Sequence, residues 1–152
     1  LNWVSGRPFT FVHGDYHPKQ MFFGEPGTEE EFVMIDWQLP TRSLGTNDLA
    51  RIIVLGLDQD TRRLRERELI ESYHQGLKDN GVDYPMEELL DDYRFGIFVS
   101  LAIHYLAAAT NIQLFIDEVT ALGMDWRDVA YNRLKTALED HDGEKLIAQW
   151  KG

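Results

Sequence analysis

The apolar pattern of this chain changes character once, at Gly45, and that change narrows the folds open to it. Before Gly45 the apolar residues come in short runs: Phe9-Thr10-Phe11-Val12 after Pro8, then Met21-Phe22-Phe23, then Phe32-Val33-Met34-Ile35. Aromatic and β-branched runs this short, bounded by turn-forming residues, read as strands. Gly24-Glu25-Pro26-Gly27-Thr28 is a loop by composition, and Glu29, Glu30 and Glu31 read as a solvated hairpin tip. After Gly45 the spacing turns helical. Thr46 or Asn47 can cap a helix through Asp48, Leu49, Ile52, Ile53 and Leu57. A second helix is expected from 60 or 61 to 78, ended by Asn80-Gly81. Leu64, Ile70, Tyr73 and Leu77 should face inward and Arg62, Arg63, Arg65, Arg67 and Glu68 outward, as a solvated face. A long apolar helix follows Pro85, interrupted near Thr110-Asn111, and helices at 126–138 and 144–150 close the chain. Strands first and helices afterwards predict an α+β fold.

The 152 residues amount to one domain. A formal net charge of −11 argues against nucleic acid or an anionic membrane as partner, because phosphate binding draws on lysine and arginine. A cationic or neutral small molecule is easier to accommodate. No cysteine is present, so a disulfide frame, a thiolate metal site and a thiolate nucleophile are all excluded. That composition fits a reducing compartment, and a cytoplasmic location is expected. Positions 95–116 carry no charged side chain, but Ser100, His104, Thr110, Asn111 and Gln113 interrupt the run. With Asp91, Asp92, Asp117 and Glu118 flanking it, a buried core helix is expected and not a membrane span. No basic start or apolar run follows Leu1, so no signal peptide is expected, and an excised fragment explains the missing methionine most simply.

The chemistry concentrates in His13-Gly14-Asp15-Tyr16-His17-Pro18-Lys19-Gln20, followed by Ile35-Asp36-Trp37-Gln38. Phosphoryl transfer needs a carboxylate near the acceptor hydroxyl, an amide oxygen on magnesium, and a second carboxylate bridging metal and phosphates. Protein kinases supply these as His-Arg-Asp-x-x-x-x-Asn and, after a hairpin, Asp-Phe-Gly. Asp15 and Gln20 reproduce the first spacing, and Asp36, at the end of an apolar strand, reproduces the second.

His-Gly-Asp-x-His-Pro-x-(amide) followed by Ile-Asp-Trp resembles the aminoglycoside phosphotransferase and choline kinase group, including its ecdysteroid-kinase-like relatives. Gly45-Thr46-Asn47-Asp48-Leu49-Ala50 is similar to the same group's downstream Asp-Leu-Ala element. The resemblance implies the C-terminal, catalytic lobe of a protein-kinase-like fold, one domain over 1–152: a small β-hairpin element carrying the catalytic loop, and a mainly helical body. It implies Asp15 as catalytic base, Gln20 and Asp36 as magnesium ligands, His13 as structural support, and Asp48 as a brace for the loop. His17 and Tyr16 are candidates for contact with the acceptor or the loop. ATP, or GTP, would be the phosphoryl donor and a small-molecule hydroxyl the acceptor. Gln20 stands where the group usually has asparagine, keeping the amide oxygen and adding a methylene. There is no Gly-x-Gly-x-x-Gly loop and no lysine on an early strand; the lysines are Lys19, Lys78, Lys135, Lys145 and Lys151. The nucleotide-clamping lobe is therefore expected to be missing from these residues.

Rival readings stand beside this one. A pseudokinase or binding module would keep the motif without turnover. His13, Asp15, His17 and Asp36 could instead ligate zinc in a metal-dependent hydrolase, although Gly14 and Pro18 disfavour the regular strand this needs. The same residues could also form a plain solvated turn, and Asp48 could simply sit in a helix's first turn. His104 is expected to be a satisfied core histidine. Burial is favoured for Trp37, Trp126 and Trp150 over stacking on a ligand, and helix-end solvation for Asp91, Asp92, Asp117 and Glu118.

Overall fold

The computed structural model describes residues 6–150, apart from the side chains at 107, 108, 130, 149 and 150. The Trp150 expectation thus lies outside the described residues. The class is α+β, mostly helical with two small antiparallel sheets. Strand β1 (Phe9–Val12) pairs with β4 (Thr41–Leu44), and β2 (Met21–Phe23) with β3 (Phe32–Met34). The register puts Val12 opposite Thr41 and Met21 opposite Met34. The segments between these pairs, 13–20 and 35–40, must therefore run side by side from one sheet to the other. Pairing across them continues where the Ile35 N–H donates to the Gln20 carbonyl at 3.0 Å. Topology alone brings the two candidate motifs together.

Strand β4 is not marked in the sequence, because Thr41-Arg42-Ser43 is polar and only Leu44 is fully buried. It forms because β1 offers it a full antiparallel edge. At the hairpin tip Glu29, Glu30 and Glu31 are exposed, as expected.

Among the described residues six helices follow: α1 (Thr46–Gly56), α2 (Gln59–Asp79), α3 (Met86–Thr110), α4 (Ile112–Ala121), α5 (Arg133–Asp140) and α6 (Gly143–Trp150). A single π-turn at Asp128–Asn132 leads into α5. Ala50, Ile53 and Val54 of α1 pack with Leu89, Tyr93 and Ile97 of α3, joined by Ile70, Tyr84, Leu134 and Ala137. α1 and α3 come close because Gly96 has no side chain. A Cβ there would stand 2.7 Å from the Thr46 carbonyl oxygen and 2.9 Å from the Ala50 Cβ. Gly96→Val should push the helices apart and cost about 1–3 kcal/mol, read as a lower thermal midpoint. An unchanged midpoint would show that the interface has slack. No helix among the described residues is long and apolar enough to cross a membrane.

Several sequence expectations need correction. Gly45 is the N-cap of α1, with no side-chain cap from Thr46 or Asn47; the Asn47 amide donates to Ser43 Oγ at 2.8 Å. α2 starts earlier than expected, with Asp58 Oδ1 accepting from the Asp60 and Thr61 N–H groups at 3.1 and 3.0 Å. Its polarity is partly inverted: Leu64 is 79% exposed while Arg62 is 1% exposed. Arg62 goes inward because Glu66 and Asp140 meet it there. Asp92 is likewise not a solvated helix end, being fully buried against the Tyr84 hydroxyl and Arg7. The interruption after Thr110 is where it was expected: the Asn111 side chain accepts from the Leu114 N–H at 3.2 Å and starts α4. Trp37 is half-exposed, stacked on Phe11 at 5.8 Å, and Trp126 is half-buried beneath the Arg127 guanidinium at 4.5 Å.

Candidate functional site

The loop after β1 opens on a turn that excludes side chains. Gly14 has φ +82°, and a Cβ there would lie 2.3 Å from the Leu39 carbonyl oxygen. Both backbone donors at this turn point to one carboxylate. The His13 N–H reaches Asp48 Oδ2 at 2.6 Å and the Gly14 N–H reaches Asp48 Oδ1 at 3.1 Å. Burial raises the Asp48 carboxyl above its ordinary range, with these two N–H donors working against the rise.

His13 is 2% exposed and spends both ring nitrogens on backbone. Nε2 lies 2.8 Å from the Ile35 carbonyl oxygen, and the Asp15 N–H donates to Nδ1 at 3.2 Å. One neutral tautomer, protonated at Nε2, satisfies both contacts. The ring thus ties the loop to the chain leaving β3 and holds the backbone of Asp15.

Gln20 and Asp36 are brought together. A 3₁₀ turn at Pro18–Gln20, closed by the Gln20 N–H on the His17 carbonyl at 3.0 Å, buries the Gln20 side chain. Its Nε2 donates to Asp36 Oδ2 at 2.9 Å. Asp36 has φ +62°, a left-handed conformation costing a non-glycine residue about 1–3 kcal/mol and concentrated at functional sites. A carboxylate and an amide oxygen, reached by rotating the Gln20 amide, are the hard donors magnesium takes, with substrate phosphates and water completing its shell. The residues present fit that ion.

Asp15 is partly buried. Its Oδ1 accepts from Arg51 Nη2, and His17 Nε2 lies 3.4 Å from Oδ2. The His17 hydrogen bond and the Arg51 charge hold this carboxyl well below the usual carboxylate range, outweighing the opposing effect of burial. Arg51 did not figure among the candidates. The signal was a basic residue three places after Asp48, hence on the same helix face, but it means something only once Asp15 is known to lie beside that face.

The helical body reaches the loop at α4, where Lys19 Nζ lies 3.2 Å from Glu118 Oε2. His104 of α3 sits edge-on to Phe115 at 5.1 Å and is buried, but its Nε2 has no partner among the described residues. Burial, with the Arg51 charge, lowers its pKa to about 4, so the ring is neutral at ordinary pH. Tyr16 faces the His13 ring at 6.1 Å and lines a cavity of about 570 Å³ with Val12, Met21, Phe32, Leu49 and Tyr73. A larger cavity, about 620 Å³ between α3, α5 and α6, contains none of the candidate residues.

The zinc arrangement gains no support. Residues 13–17 do not form a strand, both nitrogens of His13 are engaged, and no three His, Asp or Glu side chains gather as metal ligands among the described residues.

No curated protein and no solved structure matches the chain. The DUF1679 family, described as "Uncharacterized oxidoreductase dhs-27", matches residues 1–141. The match covers the loop, both metal-ligand candidates, α1 and the helices through α5, so the chain belongs to the DUF1679 family, which is of the ecdysteroid-kinase and aminoglycoside-phosphotransferase-like type.

Proposed function

We propose that this chain is the catalytic lobe of a cytoplasmic, magnesium-dependent phosphotransferase that moves the γ-phosphoryl group of ATP, or GTP, to a hydroxyl of a small molecule. The observation that carries the proposal is the contact of Gln20 with Asp36 at 2.9 Å, made five residues after Asp15 in a loop braced by His13 and Asp48. Those are the parts phosphoryl transfer needs, in the order and spacing it needs them. The helical body would then be a protein-kinase-like C-terminal lobe. A nucleotide-clamping lobe over the hairpins would account for the exposure of Phe11 (66%) and Phe23 (77%), which line the same cavity as Tyr16.

In the proposed reaction the acceptor oxygen bonds to the γ-phosphorus as the bond from that phosphorus to the β–γ bridging oxygen breaks, and ADP leaves. Asp15 accepts the hydrogen bond of the acceptor hydroxyl. Gln20 and Asp36 would hold magnesium, which when bound neutralises charge on the phosphates. His13 and Asp48 keep the loop from relaxing. The term oxidoreductase in the family's description finds no Gly-x-Gly-x-x-Gly dinucleotide fingerprint and no cysteine in this sequence.

The test is magnesium-dependent release of ADP by the full-length protein, coupled to phosphorylation of a hydroxyl acceptor. ATP binding with no turnover on any acceptor would favour the second reading, a binding module. The Gln20–Asp36 contact favours that reading to the extent that it satisfies the two candidate ligands with each other. Gln20→Ala should weaken magnesium binding by about 10–100-fold and lower kcat, with Gln20→Asn intermediate because the shorter side chain keeps the amide oxygen but falls short. A magnesium dependence that Gln20→Ala leaves untouched would remove this residue from the ligand set.

A further inference from the structure

α1 grips the loop twice. Asp48 takes its backbone, and Arg51, one turn on, takes the carboxylate of Asp15. The Arg51 side chain is 10% exposed, and its Nε and Nη1 have no partner among the described residues. A buried guanidinium with two unmade hydrogen bonds is costly. Its neighbours on α1, Ala50, Ile53 and Val54, are core residues among which an apolar side chain would pack without that cost. What Arg51 supplies that an apolar residue would not is a fixed cation on one oxygen of Asp15, with the other oxygen facing His17.

We propose that Arg51 is a positioning residue that fixes Asp15 in one orientation, so that Asp15 aims the acceptor hydroxyl and does not carry its proton away. This deepens the phosphotransferase proposal and rests on it. The hydroxyl proton then passes to an oxygen of the transferred phosphoryl group and on to water, while the acceptor oxygen keeps its new bond to phosphorus. A loose transition state places little charge on the attacking oxygen, so aim contributes more than basicity. A carboxylate locked by Arg51 on one oxygen is a poor base and a good sight.

The test uses the full-length protein with Arg51→Gln, and Arg51→Lys as a charge-keeping variant in case the first fails to fold. Carboxyl-carbon NMR, with the Asp15 signal assigned by its loss in Asp15→Asn, follows the titration of Asp15 directly. The groups facing this carboxylate are His17 and Arg51, so His17→Gln is titrated in parallel. Arg51→Gln should move the Asp15 midpoint up toward the ordinary carboxylate range, and an unmoved midpoint overturns the clamp. ADP release should show kcat lower by about 100-fold in Arg51→Gln, with the KM for ATP unchanged and Arg51→Lys between. Wild-type turnover that Arg51→Gln leaves intact overturns the positioning role while the phosphotransferase proposal survives. Absence of turnover in wild type defeats that proposal instead, and the titration then decides alone whether Arg51 fixes Asp15.

Discussion

Asp15→Asn is expected to lower kcat by about 10²–10⁴, because the charge that aims the acceptor hydroxyl is lost, with ATP affinity nearly unchanged. The substitution is nearly isosteric, and the amide oxygen of asparagine can still accept from Arg51 Nη2, so the loop should keep its shape. His13 also continues to hold the backbone at this position, since that bond runs from the N–H of residue 15 to Nδ1. What is lost is the charge that draws the acceptor hydroxyl, and the amide's NH₂ would face His17 and the acceptor as a donor. The effect should therefore fall on the chemical step alone. A steady-state comparison of kcat and the KM for ATP, with the thermal midpoint measured alongside, separates this from unfolding. An unaltered kcat would take Asp15 out of the mechanism. A fall in kcat matched by a collapse of the thermal midpoint would place the residue in the fold.

The difference between Asp15 and Arg51 shows what kind of information a single sequence carries. Asp15, Gln20 and Asp36 could be singled out because the chemistry proposed for them depends on short spacings along the chain, 15 to 20 and then a strand end. The strands β1, β2 and β3 and the break at Asn111 were legible for the same reason, being set by local runs and a local cap. Arg51 acts on a residue 36 positions away, and Arg62 on one 78 away, so neither partner is visible from its neighbourhood. A periodicity argument then sends every arginine outward and every leucine inward, which fails for Arg62 and Leu64 together. β4 was lost in the same way: its polar sequence pairs only because β1 has an open edge. Trp37 shows the reverse error. A large apolar side chain was expected inside, yet its indole N–H turns to the Met34 carbonyl at 3.1 Å and its ring lies half-exposed over His13 and Phe11.

Arg62→Ala is expected to cost about 3–5 kcal/mol, because it leaves the largely buried Glu66 carboxylate without its arginine, while Asp140 keeps Arg63. For a chain of this length that corresponds to a thermal midpoint lower by about 6–20 °C. The Arg62 side chain is 1% exposed and donates to Glu66 Oε2 at 2.8 Å and to Asp140. Glu66 is also held by the Tyr93 hydroxyl at 2.7 Å and approached by His141 Nε2 at 3.2 Å, so the cluster joins α2, α3 and the end of α5. Burial raises the Glu66 carboxyl, but the bonds from His141 and Tyr93 and the charges of His141 and Arg62 outweigh it, leaving the group below its ordinary value. A carboxyl whose folded value is depressed stabilises the fold above its unfolded value and loses that contribution as pH falls through the folded one. Wild type should therefore lose stability on acidification below about pH 4.3, and Arg62→Ala should lose less over the same interval, having already given up part of the effect. Glu66→Gln in the Arg62→Ala background should recover some of the loss, because it removes the stranded charge while keeping an acceptor for Tyr93. If Arg62→Ala melts with wild type, neither the ion pairs nor the packing of Arg62 gives net stability. If Arg62→Ala is destabilised but Glu66→Gln recovers nothing, the cost lies in the void left by the side chain.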